Sequence, residues 1–222
     1  MKYIVRRIVA ACFLLPLIGV QTIFAEPAII AEPAMDAWNF NVYLDDKKVG
    51  THVFEVVQTG AQKEVQSIAD FKVKFLFISA YSYEHSNIER WSDDCLLTFN
   101  AKTSVNGKRT RVSGAAATAG FLVNKGETEE VLPDCVMSFA YWNPSFLNQE
   151  RLLNPQTGEF LDVVVESLGN DKLMVRGQSV AAQRFKITAR GIDLLVWYSA
   201  NDEWLALESV AKGGRVVRYE LS

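Results

Sequence analysis

The sequence predicts an all-β fold, an antiparallel meander that forms a curved sheet or an incomplete, lipocalin-like barrel crossed by one short helix or loop. Apolar and polar residues alternate with a period of two along most of the chain, as expected for strands with one buried face. Turn signals separate these runs at short intervals. So many short strands in one domain hide their edges best by closure or strong curling. A sandwich of two sheets is the alternative architecture.

The alternation is clear in WNFNVYL at 38–44, where every second residue is apolar. Asn106-Gly107 and Gly213-Gly214 predict tight hairpin turns, because these residue types accept a positive φ. We therefore expect thirteen strands near 37–45, 49–58, 63–76, 80–92, 95–105, 108–115, 120–124, 160–168, 171–176, 179–190, 193–199, 203–211 and 215–221.

The N-terminus predicts a secretory signal peptide over residues 1–25, with a basic start, an apolar stretch from Ile8 to Val20 and Ala25 before the cleavage point. The stretch is shorter than the roughly 17 to 25 residues of a membrane-spanning helix. Cys12 lies too early in it for a lipoprotein leader. We expect a periplasmic protein with a flexible segment at 26–36 and a single β domain at 37–222.

The charge balance of the mature chain is mildly acidic. Cleavage removes Lys2, Arg6 and Arg7, which lowers the 23 basic groups to 20 against 26 acidic groups. A nucleic-acid-binding protein requires a clustered basic surface, and so does electrostatic attachment to anionic lipid headgroups. We therefore expect neither a nucleic-acid partner nor electrostatic attachment to lipid headgroups, and the short apolar stretch at the N-terminus predicts that the protein is not an integral membrane protein.

Two cysteines remain after cleavage, Cys95 and Cys135. In an oxidising exported compartment an isolated pair predicts a disulfide. A catalytic thiol needs a neighbouring base, and the chain has only two histidines. The predicted bridge ties the start of one strand to the segment that follows Cys135.

The stretch FAYWNPSFLNQERLLNPQTGEF at 139–160 interrupts the alternation. Its middle predicts a short helix capped by Ser145, and NPQTGE predicts a turn back into a strand. A long connection of this kind is either a lid over a site or a plug over the core. Trp204 is expected to pack under this segment or to fill the core.

The stretch YSYEHSNIERW at 81–91 predicts a strand with an unusual face. Alternate residues place two tyrosines, a histidine, an asparagine, a glutamate and a tryptophan on one side. Aromatic residues with a few polar groups are typical of a ligand cavity. The other interpretation, a solvent-facing or hydrogen-bonded structural face, stays open.

The sequence predicts no metal site and no cofactor. His85 and Glu89 are about 13 Å apart along an extended strand, too far to share an ion even if His52 joins from a neighbouring strand. No nucleophile elbow and no phosphate-binding loop occur in the mature chain. An acid or base role of His85 with Glu84 or Glu89 remains as an alternative.

Five stretches carry a family resemblance: WNFNVYLDDKKVGTH, YSYEHSNIERWSDDCLLTFNAKT, FAYWNPSFL, LLNPQTGE and LLVWYSANDEWLALES. Together they resemble a family of exported proteobacterial proteins of unknown function, over nearly the whole mature chain. The resemblance implies a periplasmic β-rich domain and no catalytic residues. A more remote similarity to lipocalins and to the half-barrels of lipoprotein carriers concerns the fold only.

These observations favour a periplasmic protein that binds or carries a hydrophobic or amphipathic small molecule, such as a lipid-like compound. One alternative is an envelope module that binds a protein partner, and another is a cofactorless hydrolase or isomerase that uses His85. The candidate ligand-binding residues are Tyr81, Tyr83, His85, Glu89, Trp91, Tyr141, Trp142 and Phe146.

Overall fold

The computed structural model describes residues 34–75, 78–210 and 213–222. The predicted signal peptide lies outside these residues. One antiparallel sheet contains every strand of the described chain. The strands are β1 Ala34–Leu44, β2 Lys47–Thr59, β3 Gln62–Phe75, β4 Ile78–Ser92, β5 Cys95–Val105, β6 Lys108–Ala117, β7 Gly120–Asn124, β8 Glu129–Leu132, β9 Arg151–Asn154, β10 Glu159–Val175, β11 Gln178–Ala189, β12 Ile192–Tyr198, β13 Trp204–Val210 and β14 Val216–Leu221.

The all-β antiparallel meander predicted from the sequence is confirmed. Its turn chemistry is also as expected, since Asn106 and Gly107 both have positive φ, 50° and 81°, the geometry of a tight hairpin turn. The order of the sheet is β8-β7-β6-β5-β4-β3-β2-β1-β14-β13-β12-β11-β10-β9. The first and last strands of the domain, β1 and β14, therefore pair at its centre.

Several predicted boundaries differ from the structure. The two strands predicted at 160–168 and 171–176 form one strand, β10, which continues through a bulge between Ser167 and Gly169. The four-residue strands β8 and β9 were not predicted, because such short runs show little periodicity. Residues 34–36, expected in a flexible segment, pair with β2 at the start of β1.

The predicted short helix is shorter than expected and is capped by Asn143 rather than by Ser145. The segment forms only a 3-10 turn, Pro144–Asn148, and Asn143 caps it through its Oδ1, which accepts a hydrogen bond from the Ser145 amide at 3.1 Å. The residues RLLN that completed the helical pattern instead form β9 and pair with β10 across the NPQTGE turn. Tertiary pairing thus overrides a weak local helical preference.

The two edge strands β8 and β9 are consecutive in the chain and lie at opposite ends of the strand order. Residues 133–150 connect them, and we call these residues the crossing segment. The Leu96 amide donates to the Val136 carbonyl at 3.0 Å near the β5 side, and the Leu153 amide donates to the Met137 carbonyl at 2.8 Å on the β9 side. The crossing segment thus bridges the open side of the curved sheet.

A disulfide joins Cys95, at the start of β5, to Cys135 in the crossing segment, with Cα atoms 5.0 Å apart. The prediction of this bridge is confirmed. A second tie is the Asn143 side chain, which donates from Nδ2 to Asp94 Oδ1 at 2.8 Å. A third is the Tyr198 hydroxyl, which donates to the Tyr141 carbonyl at 2.6 Å. The crossing segment is therefore fixed to the β4–β5 turn, to β5 and to β12.

The main core lies inside the curve of the sheet and includes much of the crossing segment. In the crossing segment Phe146 is fully buried, and Val136 and Ala140 are nearly so. The segment is consequently part of the core, as the plug interpretation predicts.

A smaller cluster, of Ala182, Trp197 and Leu205, lies apart from the main core. Both faces of β12 are therefore covered, as its apolar sequence predicts: Leu194 and Val196 pack into the main core, and Trp197 into the smaller cluster. Within 34–75, 78–210 and 213–222, no helix is long and apolar enough to cross a membrane.

Candidate functional site

A cavity of about 290 Å³ lies inside the curved sheet, next to the crossing segment. Its mouth is marked by the exposed residues Gln156, Asp193 and Val210. Strands β2, β3 and β4 contribute His52, Phe54, Val65, Ser67, His85, Asn87 and Glu89; the crossing segment contributes Phe139, Ala140, Tyr141 and Trp142; the remaining lining residues are Asn154, Pro155, Gln156, Gly191, Ile192, Asp193, Leu194, Ser209 and Val210.

The polar side of the cavity comes from the pleat of β4. His85, Asn87 and Glu89 alternate with exposed or half-buried residues and are all buried, with 7%, 5% and 5% of their surface exposed. Ser67 on β3 lies opposite Asn87, and Ala101 on β5 flanks it on the other side. These small neighbours leave space in front of the Asn87 amide.

Each of the two histidines is held by a hydroxyl group. His52 Nε2 lies 2.7 Å from Ser67 Oγ, and its Nδ1 lies 3.3 Å from the Tyr219 hydroxyl. His85 Nδ1 lies 2.9 Å from Thr103 Oγ1. Burial lowers the pKa of His52 to about 3, with a smaller contribution from the charge of His85, and burial lowers the pKa of His85 to about 4. Both imidazoles are therefore neutral near pH 7.

Glu89 is the buried carboxyl of the site. It accepts hydrogen bonds from Asn87 Nδ2 at 2.9 Å and from Trp91 Nε1 at 3.0 Å. Burial raises the pKa of Glu89, and the hydrogen bonds from Asn87, Ser138 and Trp91 act in the opposite direction. The net shift is upward, because removal from water disfavours the charged form more than the donors stabilise it.

The aromatic side of the cavity comes mainly from the crossing segment. Trp142 packs edge to face on Trp91, with ring centroids 5.5 Å apart. Tyr141 packs against Phe146 at 5.6 Å and against Trp204 at 5.3 Å. Trp204 thus contacts the crossing segment and also fills the core. The rings of Tyr141 and Trp142 are fixed by these contacts, so they form a rigid wall.

The structure brings four of the eight candidate residues to the cavity: His85, Glu89, Tyr141 and Trp142. The other four do not line it. Tyr83 is half-buried and stacks on Phe71, with centroids 5.1 Å apart.

Tyr81 retains 38% of its surface exposed near the start of β4, and Trp91 and Phe146 are fully buried in the core. Trp91 supports the site from behind through Glu89 and Trp142. A period-two pattern identifies which residues share a face, but it does not show where along that face a cavity opens.

The candidate list omitted several residues that line the cavity, among them His52, Ser67, Asn87 and Phe139. Asn87 shares the face of His85 and Glu89, so the alternation of β4 was sufficient to find it. His52 and Ser67 lie on other strands, and their pairing depends on the β2–β3 register, which places Ser67 opposite Phe54 and diagonal to His52. Nothing in the local sequence specifies that register.

The side chains that line the site can donate and accept hydrogen bonds. The partner of His85 among the described side chains is Thr103, not a carboxylate. In the part of the chain that the structure covers, no three His, Cys, Asp or Glu side chains are grouped as a metal site requires.

Comparison with known families shows which family the chain belongs to. A family model described as a domain of unknown function, DUF6134, matches residues 40–222. The chain belongs to the DUF6134 family. The resemblance to a β-rich family of unknown function, expected from the sequence, is confirmed.

The DUF6134 domain is similar to a crystal structure of a β-barrel-like protein of domain of unknown function DUF1849 from Brucella abortus. The two share 10% identity and superpose with a TM-score of 0.60, over 86% of this chain and 96% of the other. Similarity at this identity concerns the fold alone, and it agrees with the barrel-like curvature of the DUF6134 sheet. No curated protein matches the DUF6134 sequence.

Proposed function

We propose that this protein binds a small amphipathic molecule in the cavity between β4 and the crossing segment. The observation that carries the proposal is the division of the cavity wall. Half-buried His52 and the buried polar groups of Ser67, His85 and Asn87 lie on one side, and the aromatic rings of the crossing segment lie on the other. A mostly apolar pocket with a few fixed polar groups is the usual design of a small-molecule site.

The size of the cavity limits the ligand. Its volume of about 290 Å³ is at the lower end of the roughly 300 to 1,000 Å³ typical of ligand pockets. A molecule with one short apolar chain or one fused ring system fits this volume, whereas a complete lipid with two long chains is too large. Among lipid-like ligands, the cavity volume therefore favours a small amphiphile.

An exported location supports a role as a binding or carrier protein. The Cys95–Cys135 disulfide is compatible with an oxidising compartment, and the sequence before β1 predicts a signal peptide. A periplasmic protein with a fixed, partly aromatic cavity is suited to hold a poorly soluble molecule away from water.

Trp142 and Trp197 provide a matched test, because both are nearly buried, with 8% and 6% of their surface exposed, but only Trp142 lines the cavity. Fluorescence titration with the uncharged probe N-phenylnaphthylamine measures binding to wild type, W142A and W197A. We expect W142A to weaken binding by about 1 to 3 kcal/mol, the range for loss of a buried aromatic contact, and W197A to leave it unchanged.

Two results would contradict the proposal. One is a wild-type protein that does not bind the probe. The other is a W142A variant that binds normally but loses about 3 to 5 kcal/mol of stability, the usual cost of emptying a packed core position. The crossing segment would then be a plug without a binding role.

A further inference from the structure

We infer that the ligand carries a hydrogen-bond donor, such as a hydroxyl or an amide, that reaches Asn87 Oδ1, and that the cavity discriminates against anions. This inference rests on the proposed function, since it specifies the polar end of the same ligand. It depends on two observations: a buried acceptor without a partner, and a cavity lining without a cation.

The acceptor is on the side chain of Asn87, which has 5% of its surface exposed and lines the cavity. Its Nδ2 donates to Glu89 Oε1 at 2.9 Å, so Oδ1 lies on the side of the amide away from Glu89. Among the described residues, this buried oxygen has no hydrogen-bond partner. A buried polar atom left without a partner costs about 1 to 3 kcal/mol, so a ligand that donates to it gains that amount over one that does not.

His85 presents a second group beside the first. It is two residues from Asn87 on the same face of β4, and its Nδ1 is taken by Thr103. His85 lines the cavity, and among the described residues its other ring nitrogen, Nε2, has no hydrogen-bond partner. In the tautomer with the proton on Nε2, a ligand hydroxyl or amide that donates to Asn87 Oδ1 can also accept from His85.

The charged groups around the cavity disfavour a ligand with an anionic head group. Its described lining contains two carboxyl groups, Glu89 and Asp193, and neither lysine nor arginine. Lys63 is near, but its ammonium lies over the Trp142 ring, 5.4 Å from the centroid, and Lys63 is not a lining residue. A buried carboxylate or phosphate needs a paired cation to offset its loss of hydration. A fatty acid anion is therefore a poor ligand.

Three ligands built on a ten-carbon chain test the inference at pH 8 by isothermal titration calorimetry: decanol, decyl methyl ether and decanoate. Decanol donates a hydrogen bond, the ether only accepts, and decanoate is an anion. We expect decanol to bind at least about tenfold more tightly than the ether, the equivalent of one satisfied buried acceptor. Decanoate is expected to bind more weakly than either.

N87L removes the acceptor and keeps a side chain of similar size. It is expected to reduce the ratio of decanol to ether affinity to about one, whereas W197A, distant from the cavity, is expected to keep the wild-type ratio. The ligand comparison in wild type tests the inference even if N87L does not fold.

Equal affinity of wild type for decanol and the ether would overturn the inference, and so would tightest binding of decanoate. In both cases N-phenylnaphthylamine and the alkyl ligands still bind, so the proposed function is retained. If neither the probe nor any of the three ligands binds, the proposed function and the inference both fail.

Discussion

Small side chains opposite polar ones decide where the interior of this sheet holds a cavity. Asn87 lies between Ser67 and Ala101 on the neighbouring strands, and His85 lies between Ala69 and Thr103. Larger aliphatic residues at these positions would fill the space and leave the polar groups without room for a ligand. The two histidines are hydrogen-bonded to hydroxyl groups, and burial favours their neutral form.

Acidification is expected to destabilise the fold through its two histidines. Their folded pKa values, about 3 for His52 and about 4 for His85, lie below the ordinary value, near 6.5. At pH values between the ordinary pKa and the lower folded pKa, the unfolded chain binds more protons than the folded protein. The free energy of unfolding therefore falls as pH decreases. At pH 5 the loss is up to about 2 kcal/mol per histidine.

Urea unfolding at pH 7 and pH 5 measures this effect. The variants H52Q and H85Q each remove one titrating ring, and the double variant should show the smallest difference in stability between the two pH values. Glu89 acts in the opposite direction, because its raised pKa makes the fold lose stability as pH rises. All these variants retain Glu89, so an equal pH dependence in wild type and the double variant would rule out the histidine effect.

The crossing segment is the element on which both fold and site depend. It joins the two edge strands β8 and β9, which are far apart in the strand order but consecutive in the chain. Its Phe139, Tyr141 and Trp142 line the cavity, while Phe146 anchors it in the core. Because the same few residues close the sheet and form the aromatic wall, a change in their attachment affects stability and binding together.

Loss of the disulfide is therefore expected to affect both properties. The bridge closes a loop with a sequence separation of 40, for which the chain-entropy model gives a stabilisation of about 4 kcal/mol. The double variant C95S/C135S should unfold at lower urea concentration and bind N-phenylnaphthylamine more weakly, because the start of the crossing segment loses its anchor.

Wild type treated with reductant is the matched control and should behave like C95S/C135S. Thiol titration of the purified mature protein without reductant should detect no free thiol. Two free thiols per chain, or unchanged unfolding in the double variant, would show that the bridge does not stabilise the protein.

At the scale of the whole molecule, the first and last strands of the described domain, β1 and β14, lie side by side at the centre of the sheet. Strands β1 to β8 extend to one edge, the crossing segment passes to the other edge, and β9 to β14 return to pair with β1. Apart from the β1–β14 pair and the crossing segment, every strand pairs with a neighbour in sequence. This arrangement places the inward faces of both halves around one cavity.

The mature protein is expected to begin at Glu26 and to carry no lipid, because Ala25 is the small residue before the predicted cleavage point and Cys12 lies too early in the apolar stretch. Mass spectrometry of the N-terminal peptide, on protein exported by a bacterial host, measures the cleavage point. A diacylglyceryl-modified peptide that starts at Cys12 would contradict this prediction, and so would an uncleaved N-terminus.

The sequence by itself determined the strand class, most strand positions, the hairpin turns and the disulfide partners. These features depend on local periodicity, on residues that accept positive φ and on a cysteine pair, all of which are visible without knowledge of the fold. It also placed His85 and Glu89 on the same face of one strand, because alternation along β4 is a local property.

Only the tertiary structure decided where the cavity lies and which strands meet there. The contact of His52 with Ser67 and Tyr219 joins three strands whose residues are as many as 167 positions apart in the chain. The conversion of RLLN from a predicted helix to strand β9 has the same cause, since its pairing with β10 and with the crossing segment outweighs its local preference. Hydrogen bonds and burial between distant segments depend on register and closure, which no local pattern specifies.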